Sequence, residues 1–226
     1  MAAAHDQQLQ ELLAHPSVWR GRSRAAVQTL PTGYAALDAG LPGGGWPRHG
    51  LVEILTPRPG VGELYLLLPA LVALSRASAR WCAWVTPPHE PYAPALEAHG
   101  VALERMLVIR DPPAARAPQP RRRSGGAHLD IWALEQTLRS GAASLALAWL
   151  ARPGARASRR LQLAAEQGRA LGVLFRDRRF ADEASPAMLR LLLEPTSPRQ
   201  GACVRLLKSR GGSREPIHLE WAAAAA

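Results

Sequence analysis

The chain has 226 residues, of which 47% are hydrophobic, and this is enough to bury the core of one sizeable domain. No stretch approaches the roughly 18 apolar residues that a membrane span requires, and the first residues lack a secretion signal, so we expect a cytoplasmic protein without a membrane partner. The net charge of +10 rests on 28 basic residues against 18 acidic ones, which favours nucleic acid or an acidic protein surface as a partner. Cys82 and Cys203 are far apart and have no histidine at ligand spacing, which argues against a disulfide framework and against a metal site.

The first 27 residues are predicted to form a short helix followed by a basic arm. Three leucines of residues 6–13 are spaced i, i+3 and i+4, which is typical of an amphipathic helix. A helix of this length is marginal alone, so we expect it to dock on the body or on a partner, together with Trp19 of the arm.

Residues 28–221 are predicted to form one α/β domain. A strand at 51–55 leads through a glycine loop into a helix at 63–77. Further strands are predicted at 81–85, 106–109, 144–150 and 172–175, and they alternate with helices at 91–99, 130–140, 158–169 and 185–193. Such alternation is typical of a mostly parallel sheet flanked by helices. Residues 203–208 and 217–221 predict a C-terminal β-hairpin that completes the sheet.

Two segments do not fit this scheme. Residues 111–127 are rich in proline, glycine and arginine, including three consecutive arginines at 121–123, and are predicted to be a mobile, solvated loop. Residues 222–226 are a low-complexity tail of five alanines.

The glycine loop has the position of a nucleotide-binding P-loop but not its chemistry. A working GxxxxGK[ST] loop wraps phosphates with backbone N–H groups, contacts them with its lysine and holds magnesium with its hydroxyl. Here Glu63 stands where the lysine belongs and Leu64 where the hydroxyl belongs, and moving the register back by one residue restores neither group. The attraction between the lysine and the phosphate, worth roughly 4 kcal/mol, becomes a repulsion between Glu63 and the phosphate, so we expect no ATP binding. The degenerate loop comprises Thr56, Pro57, Gly60, Gly62, Glu63 and Leu64.

Two further features argue against nucleotide chemistry. Pro69 lies inside the helix that follows the loop, so this helix is predicted either to kink or to start late. Magnesium would need a carboxylate at the end of a neighbouring strand, yet no Asp or Glu occurs between Glu135 and Glu166. We therefore predict a protein that is not an enzyme and that uses no cofactor.

Basic side chains concentrate between residues 152 and 180, a stretch that contains eight arginines and only two acidic residues. Neutralising several phosphates gives salt-sensitive affinity, so these arginines are candidate contacts for DNA or a partner protein, and a solvated helix face is the alternative. They are Arg152, Arg156, Arg159, Arg160, Arg169, Arg176, Arg178 and Arg179. Four tryptophans in apolar elements are predicted to be core residues rather than base-stacking platforms, namely Trp81, Trp84, Trp132 and Trp149.

The sequence resembles the RecA recombinase family. Residues 32–38, 43–50 and 52–57 are similar to the entry into the RecA nucleotide site, and residues 128–147 resemble the helix and strand that lead to its magnesium-associated aspartate. The resemblance implies a RecA-like core. Its lysine, hydroxyl, aspartate and switch residues have no counterpart: Thr86 or Pro87 stands in the glutamate region, and Arg176 or Asp177 in the glutamine region.

Within the RecA-like proteins, four segments resemble the translesion DNA synthesis-associated ImuA family, sometimes labelled SulA-like, and these are 57–64, 147–150, 161–166 and 206–212. This resemblance implies a non-catalytic accessory factor of the SOS response, an adaptor for error-prone translesion DNA synthesis. The implied partners are a Y-family-like polymerase homologue and an error-prone replicative-type polymerase, with RecA and DNA as further contacts and a nucleoid location. Two alternatives stay open: a SulA-like inhibitor of cell division that acts on the tubulin-like division protein, and an ATPase completed by a partner.

Overall fold

The computed structural model describes residues 28–77, 79–110, 126–150, 152–197, 201–209, 211–213 and 215–221. The predictions for the N-terminal helix and basic arm, for the arginine run at 121–123 and for the alanine tail lie outside the described residues. A helix begins at Gly126, so the predicted end of the loop at residue 127 is two residues too late.

The helices of the described part are α1 (Ala35–Gly40), α2 (Glu63–Ala77), α3 (Ala93–Ala98), α4 (Gly126–Arg139) and α5 (Gly154–Gln167). The strands are β1 (Thr29–Leu30), β2 (Trp46–Pro47), β3 (Gly50–Thr56), β4 (Trp81–Val85), β5 (Met106–Ile109), β6 (Ala143–Trp149), β7 (Leu171–Asp177), β8 (Leu189–Ser197), β9 (Gly201–Lys208) and β10 (Ile217–Glu220). None of the described helices combines the length and the apolar content that a bilayer crossing requires.

Strands β3 to β10 form one eight-stranded sheet in the order β10-β9-β8-β3-β7-β6-β4-β5. The six strands from β8 to β5 in this order run parallel to one another. Strands β9 and β10 pair antiparallel and end the sheet on the other side, as the hairpin prediction required. A mixed α/β fold with a mainly parallel sheet flanked by helices is therefore confirmed.

The two faces of the sheet bury side chains of different size. Along β6, Leu145 and Leu147 pack in the cluster that contains α1 and α2, whereas Ala146 and Ala148 pack in the cluster that contains α4 and α5. This alternation follows from the period of two in a β-strand. The face with small residues allows helices α4 and α5 to lie close to the sheet.

Gly172 of β7 shows how close this packing is. A Cβ atom at this position would lie 3.1 Å from side-chain atoms of both Leu138 on α4 and Leu51 on β3. Interiors are packed as densely as organic crystals, so an added methyl group would have to displace a neighbour.

The prediction of a helix at 185–193 is wrong, because these residues lead into strand β8. Leu189, Leu191 and Leu193 pack in the cluster that contains α1 and α2, and Leu192 packs on the opposite face. A parallel strand that is buried on both faces has a continuous apolar run, and its periodicity does not distinguish it from a buried helix. The other helices and strands predicted for residues 28–221 are found within a few residues of their predicted positions.

Helix α2 begins at Glu63 and continues through Pro69, so the alternative of a late start is wrong. The proline ring packs against Gly33, where a Cβ atom would lie 2.6 Å from two ring carbons. Gly33 has a φ of +86°, which disfavours other residues there. The ring therefore has a packing role that offsets part of the lost helical hydrogen bond.

Two of the four tryptophans predicted as core residues are not buried. Trp132 is 56% exposed and Trp81 is 38% exposed, whereas Trp84 is buried and Trp149 packs against the core. Trp132 lies on the outer side of α4. The pattern of apolar residues in this helix did not show which of its faces meets the sheet. Cys82 is buried, and its burial raises the pKa of the thiol to about 11.

Candidate functional site

The glycine loop lies at the carboxyl edge of the parallel strands. It connects the end of β3 at Thr56 to the start of α2 at Glu63, and Thr56 pairs with Asp177 at the end of β7. In open α/β sheets this edge is where ligands bind, because loops and helix N-termini converge there. The glycine loop therefore lies at the edge where ligands bind in sheets of this kind.

Glu63 occupies the hydrogen-bond donors of this loop. Its Oε1 accepts a hydrogen bond from the Gly60 N–H at 2.7 Å, and its Oε2 accepts one from the Val61 N–H at 2.9 Å. The residue is only 4% exposed. Backbone N–H groups of a loop before a helix are the groups that bind a phosphate in related architectures. Here the carboxylate of the chain itself takes that position.

An aromatic cluster covers the loop. Trp221, which follows β10, lies against Gly62, so that a Cβ atom there would be 2.6 Å from the indole ring. The indole stacks on Tyr65 at 5.9 Å and meets Tyr34 edge-on at 5.7 Å. The Tyr34 hydroxyl donates a hydrogen bond to the Tyr65 carbonyl at 2.8 Å, and burial, with a smaller effect from Tyr65, raises the Tyr34 pKa. Trp221 therefore packs over the glycine loop and closes it.

Aromatic rings also lie at the strand ends where a magnesium-binding carboxylate would be needed. Trp149 at the end of β6 lies 5.6 Å from the Trp84 ring and 4.6 Å from the Phe175 ring, and both pairs are stacked. These three stacked rings therefore fill the carboxyl ends of β4, β6 and β7 on the face that packs against α1 and α2. Over the residues that the structure describes, no group of three or more His, Cys, Asp or Glu side chains has a geometry that could hold a metal ion.

The eight predicted arginine contacts do not form one surface. Arg176 is 6% exposed, and its guanidinium contacts Glu53 at 3.3 Å and Glu183 at 2.8 Å. A cation that is buried and ion-paired in this way is not accessible to a partner. The prediction of Arg176 as a contact is corrected accordingly.

Arg176 belongs to a buried ionic network that the sequence reasoning missed. Glu53 of β3 has no exposed surface and accepts hydrogen bonds from Arg190 at 2.9 Å, from Arg176 at 3.3 Å and from the Ser185 hydroxyl at 2.6 Å. Arg190 also donates to the main-chain carbonyls of Phe180, Ala181 and Glu183. The network holds the segment between β7 and β8 against the sheet. A single acidic residue in an otherwise apolar strand was the available signal.

Two other arginines of the stretch lie, together with Arg176, against the Phe180 ring at the carboxyl edge. The guanidinium carbons of Arg152 and Arg179 lie 5.3 Å and 4.8 Å from the centroid of the Phe180 ring. Arg178 and Arg179 are 58% and 66% exposed, and they form long ion pairs with Glu194 at 3.4 Å and with Asp177 at 3.8 Å. Exposed pairs of this kind are weak, so these cations remain accessible.

The remaining arginines occupy helix α5 and the opposite edge of the sheet. Arg156, Arg159 and Arg160 are exposed on α5, and Arg160 contacts Glu135 of α4 at 3.0 Å. Arg169 precedes β7, whereas Arg178 follows it, so the length of a seven-residue strand, roughly 20 Å, separates them. Sequence proximity alone had grouped side chains that lie at opposite edges of the sheet.

Comparison with known proteins identifies the family. The family model described as "Cell division inhibitor SulA" matches residues 52–172. The cell division inhibitor SulA of Edwardsiella piscicida is 34% identical over 154 residues, covering 67% of this chain and 75% of that protein. The crystal structure of SulA from Pseudomonas aeruginosa matches with 24% identity and a TM-score of 0.43, covering 55% of this chain and 96% of that chain.

The family model and the Edwardsiella piscicida relative overturn the assignment to the ImuA family. The polymerase partners and the role in translesion synthesis followed only from that assignment, so they are corrected together with it. The segment matched by the family model runs from β3 to the start of β7 and includes the degenerate loop. The chain belongs to the SulA family of cell division inhibitors.

Proposed function

We propose that this protein inhibits bacterial cell division by binding the tubulin-like division protein in the cytoplasm as part of the SOS response. The observation that carries the proposal is the 34% identity to a curated cell division inhibitor over 67% of the chain. Inhibition by binding needs a stable surface rather than a reaction centre, and the described fold supplies one.

We further propose that this activity is independent of ATP. The support is the position of Glu63, whose carboxylate occupies the loop N–H groups at 2.7 Å and 2.9 Å. A phosphate would have to displace this carboxylate and also meet its negative charge. The order of strand, glycine loop and helix supports the further proposal that the core derives from a RecA-type ATPase.

The proposed contact surface is the cationic group around Phe180, continued by Arg156 and Arg159 on α5. Arg178 and Arg179 carry exposed charges there, and an acidic protein surface is the complementary partner. Arginine is well suited to this role because its planar guanidinium pairs with carboxylates in a defined geometry.

A cell-length assay tests the proposal. Expression of the protein in a growing bacterium is expected to produce long, undivided cells, and the purified protein is expected to reduce assembly of the tubulin-like division protein. A double variant, Arg178→Glu with Arg179→Glu, is expected to weaken both effects at least about tenfold, because charges complementary to the partner are reversed. Arg105→Glu with Arg110→Glu makes the same change in net charge away from the proposed surface and is the control.

Other results of these experiments would contradict the proposed inhibition of cell division or the proposed independence of ATP. Normal cell length at full expression, combined with a changed damage-induced mutation frequency, would contradict the proposal. Calorimetry with millimolar ATP tests the second part, and binding in the micromolar range would show that the Glu63 carboxylate does not block the loop.

A further inference from the structure

A pocket of about 420 Å³ opens at the amino edge of the sheet, opposite the glycine loop. It lies where β3, β6 and β7 begin and where α2 ends. Neither the proposed contact surface nor the aromatic cluster contributes to it. Its volume is within the range that small-molecule sites occupy in proteins.

The floor of the pocket is apolar. Leu30 and Leu171 are 9% and 1% exposed, and Leu74 of α2 adds a half-buried side chain beside them. These residues offer an aliphatic body a surface that excludes water, which is the main source of affinity for apolar groups.

The rim of the pocket is cationic. Arg48, His49, Arg80 and Arg169 line it, and its described lining contains no Asp or Glu. Among the described residues, none forms a hydrogen bond or an ion pair with the side chains of Arg48, His49 or Arg169. Three donor groups therefore face one cavity with their hydrogen-bonding capacity unused by the described protein.

Arg80 is held rigidly at this rim. Its guanidinium donates to the carbonyl oxygens of Arg169 at 3.0 Å and Gly168 at 2.7 Å, and also to that of Ala143. Burial, followed by the nearby charge of Arg169, lowers the pKa of Arg80. Arg169 itself has a φ of +50°, which is common just after the end of a helix, and the main-chain hydrogen bond from Ala170 N–H to the Ala165 carbonyl fixes it there.

We propose that this pocket binds a small amphipathic anion, with a single carboxylate or phosphate head at the arginines and an aliphatic body on the leucine floor. Guanidinium groups bind both head groups through paired hydrogen bonds, so the shared chemistry is a compact oxyanion. Such a ligand neutralises the repulsion between Arg80 and Arg169. The site is separate from the proposed contact surface, so its test does not depend on cell division.

Four probes test the site on the full chain by NMR titration: hexanoate, hexyl phosphate, hexanol and inorganic phosphate. The two amphipathic anions are expected to bind at least about tenfold more tightly than hexanol, which lacks the charge, and than inorganic phosphate, which lacks the body. The amides of Leu30, Ser144 and Leu171 are expected to shift. The ranking of hexanoate against hexyl phosphate shows which head group the site prefers.

Variants locate the binding. Arg48→Gln and Arg169→Gln are each expected to weaken the preferred probe about tenfold, which corresponds to one charge-assisted hydrogen bond. Arg48 is exposed, so its substitution leaves the core intact, and Arg110→Gln removes the same charge at the other edge as the control. Equal affinity for hexanol and hexanoate, losses no larger than that of the control, or shifts confined to other regions would each overturn the proposal.

Discussion

Glu53 and Glu63 are both buried glutamates, but they are satisfied in opposite ways. Glu53 takes its hydrogen bonds from residues 123 to 137 positions away, on β7, on β8 and in the segment between these strands. Glu63 takes its hydrogen bonds from the two N–H groups of Gly60 and Val61, three and two positions earlier. The first arrangement exists only when the sheet is assembled, so it stabilises the fold. The second is local, so its main effect is to fill an anion site.

Removal of the Glu53 carboxylate is expected to have the largest effect. Glu53→Ala leaves Arg176 and Arg190 as buried cations without their main counter-ion, at a cost of about 3–5 kcal/mol in the free energy of unfolding. Urea denaturation measures this loss. Glu183→Gln is the matched control, because Glu183 is a 52% exposed partner of Arg176 and its loss is expected to cost below about 1 kcal/mol. Similar losses in the two variants would contradict a role for Glu53 as the centre of the network.

An added methyl group at Gly62 is expected to have the next largest effect. Gly62→Ala places a Cβ atom 2.6 Å from the Trp221 ring at a φ of +108°, and we expect a loss of about 3 kcal/mol. At Gly60 the φ is +80° and the space is open, so Gly60→Ala is expected to show only the backbone cost of about 1 kcal/mol. Thermal unfolding compares the two. Equal losses would show that Trp221 does not cover the loop in solution.

Alkaline pH is expected to destabilise the core through Cys82. The folded-state pKa of Cys82 is raised from 9.0 to about 11, so its contribution to stability is complete below pH 9 and is lost as the pH rises towards 11. The loss is about 2 kcal/mol at pH 11. Unfolding free energies of the wild type and Cys82→Ala between pH 8 and 11 isolate this contribution from that of Tyr34. If the dependence of the unfolding free energy on pH is unchanged in Cys82→Ala but reduced in Cys203→Ala, the assignment of this contribution to Cys82 is refuted.

The smallest change in stability is expected for Glu63. Glu63→Ala removes two hydrogen bonds to a carboxylate, but Gly60 is exposed and its freed N–H can bond to water, so we expect a net loss of only about 1 kcal/mol. The informative measurement is the response to sulfate, because the freed N–H groups can now bind an anion. Sulfate is expected to raise the melting temperature of Glu63→Ala more than that of the wild type. An identical response of both proteins would show that the carboxylate does not block an anion site.

The central part of the fold was predictable because its elements have strong local signals. The apolar run of β3, the glycines of the loop and the leucine spacing of α2 each have a period or a turn residue that identifies them. Strand β8 was not predictable in this way, because burial on both faces removed its alternation. Its type is decided by pairing with β3, which lies far away in sequence.

The candidate site was predictable in position but not in contacts. The sequence indicates that Glu63 replaces the lysine, yet only the structure shows that its carboxylate turns back to Gly60 and Val61. Likewise, Arg176 and Arg178 belong to the same arginine-rich stretch, and only the sheet register places Arg176 beside Glu53. The family was misassigned because the resemblance rested on short segments, which do not distinguish one family from another.

The unequal faces of β6 and β7 have an evolutionary consequence. On the side of α1 and α2, the large aliphatic residues can exchange with one another at nearly constant volume, so we expect their identities to drift among relatives. On the side of α4 and α5, Ala146, Ala148 and Gly172 leave no space for an extra methylene group unless a helix moves. Neighbouring positions of the same strand should therefore accept substitutions at different rates, with a period of two along the chain.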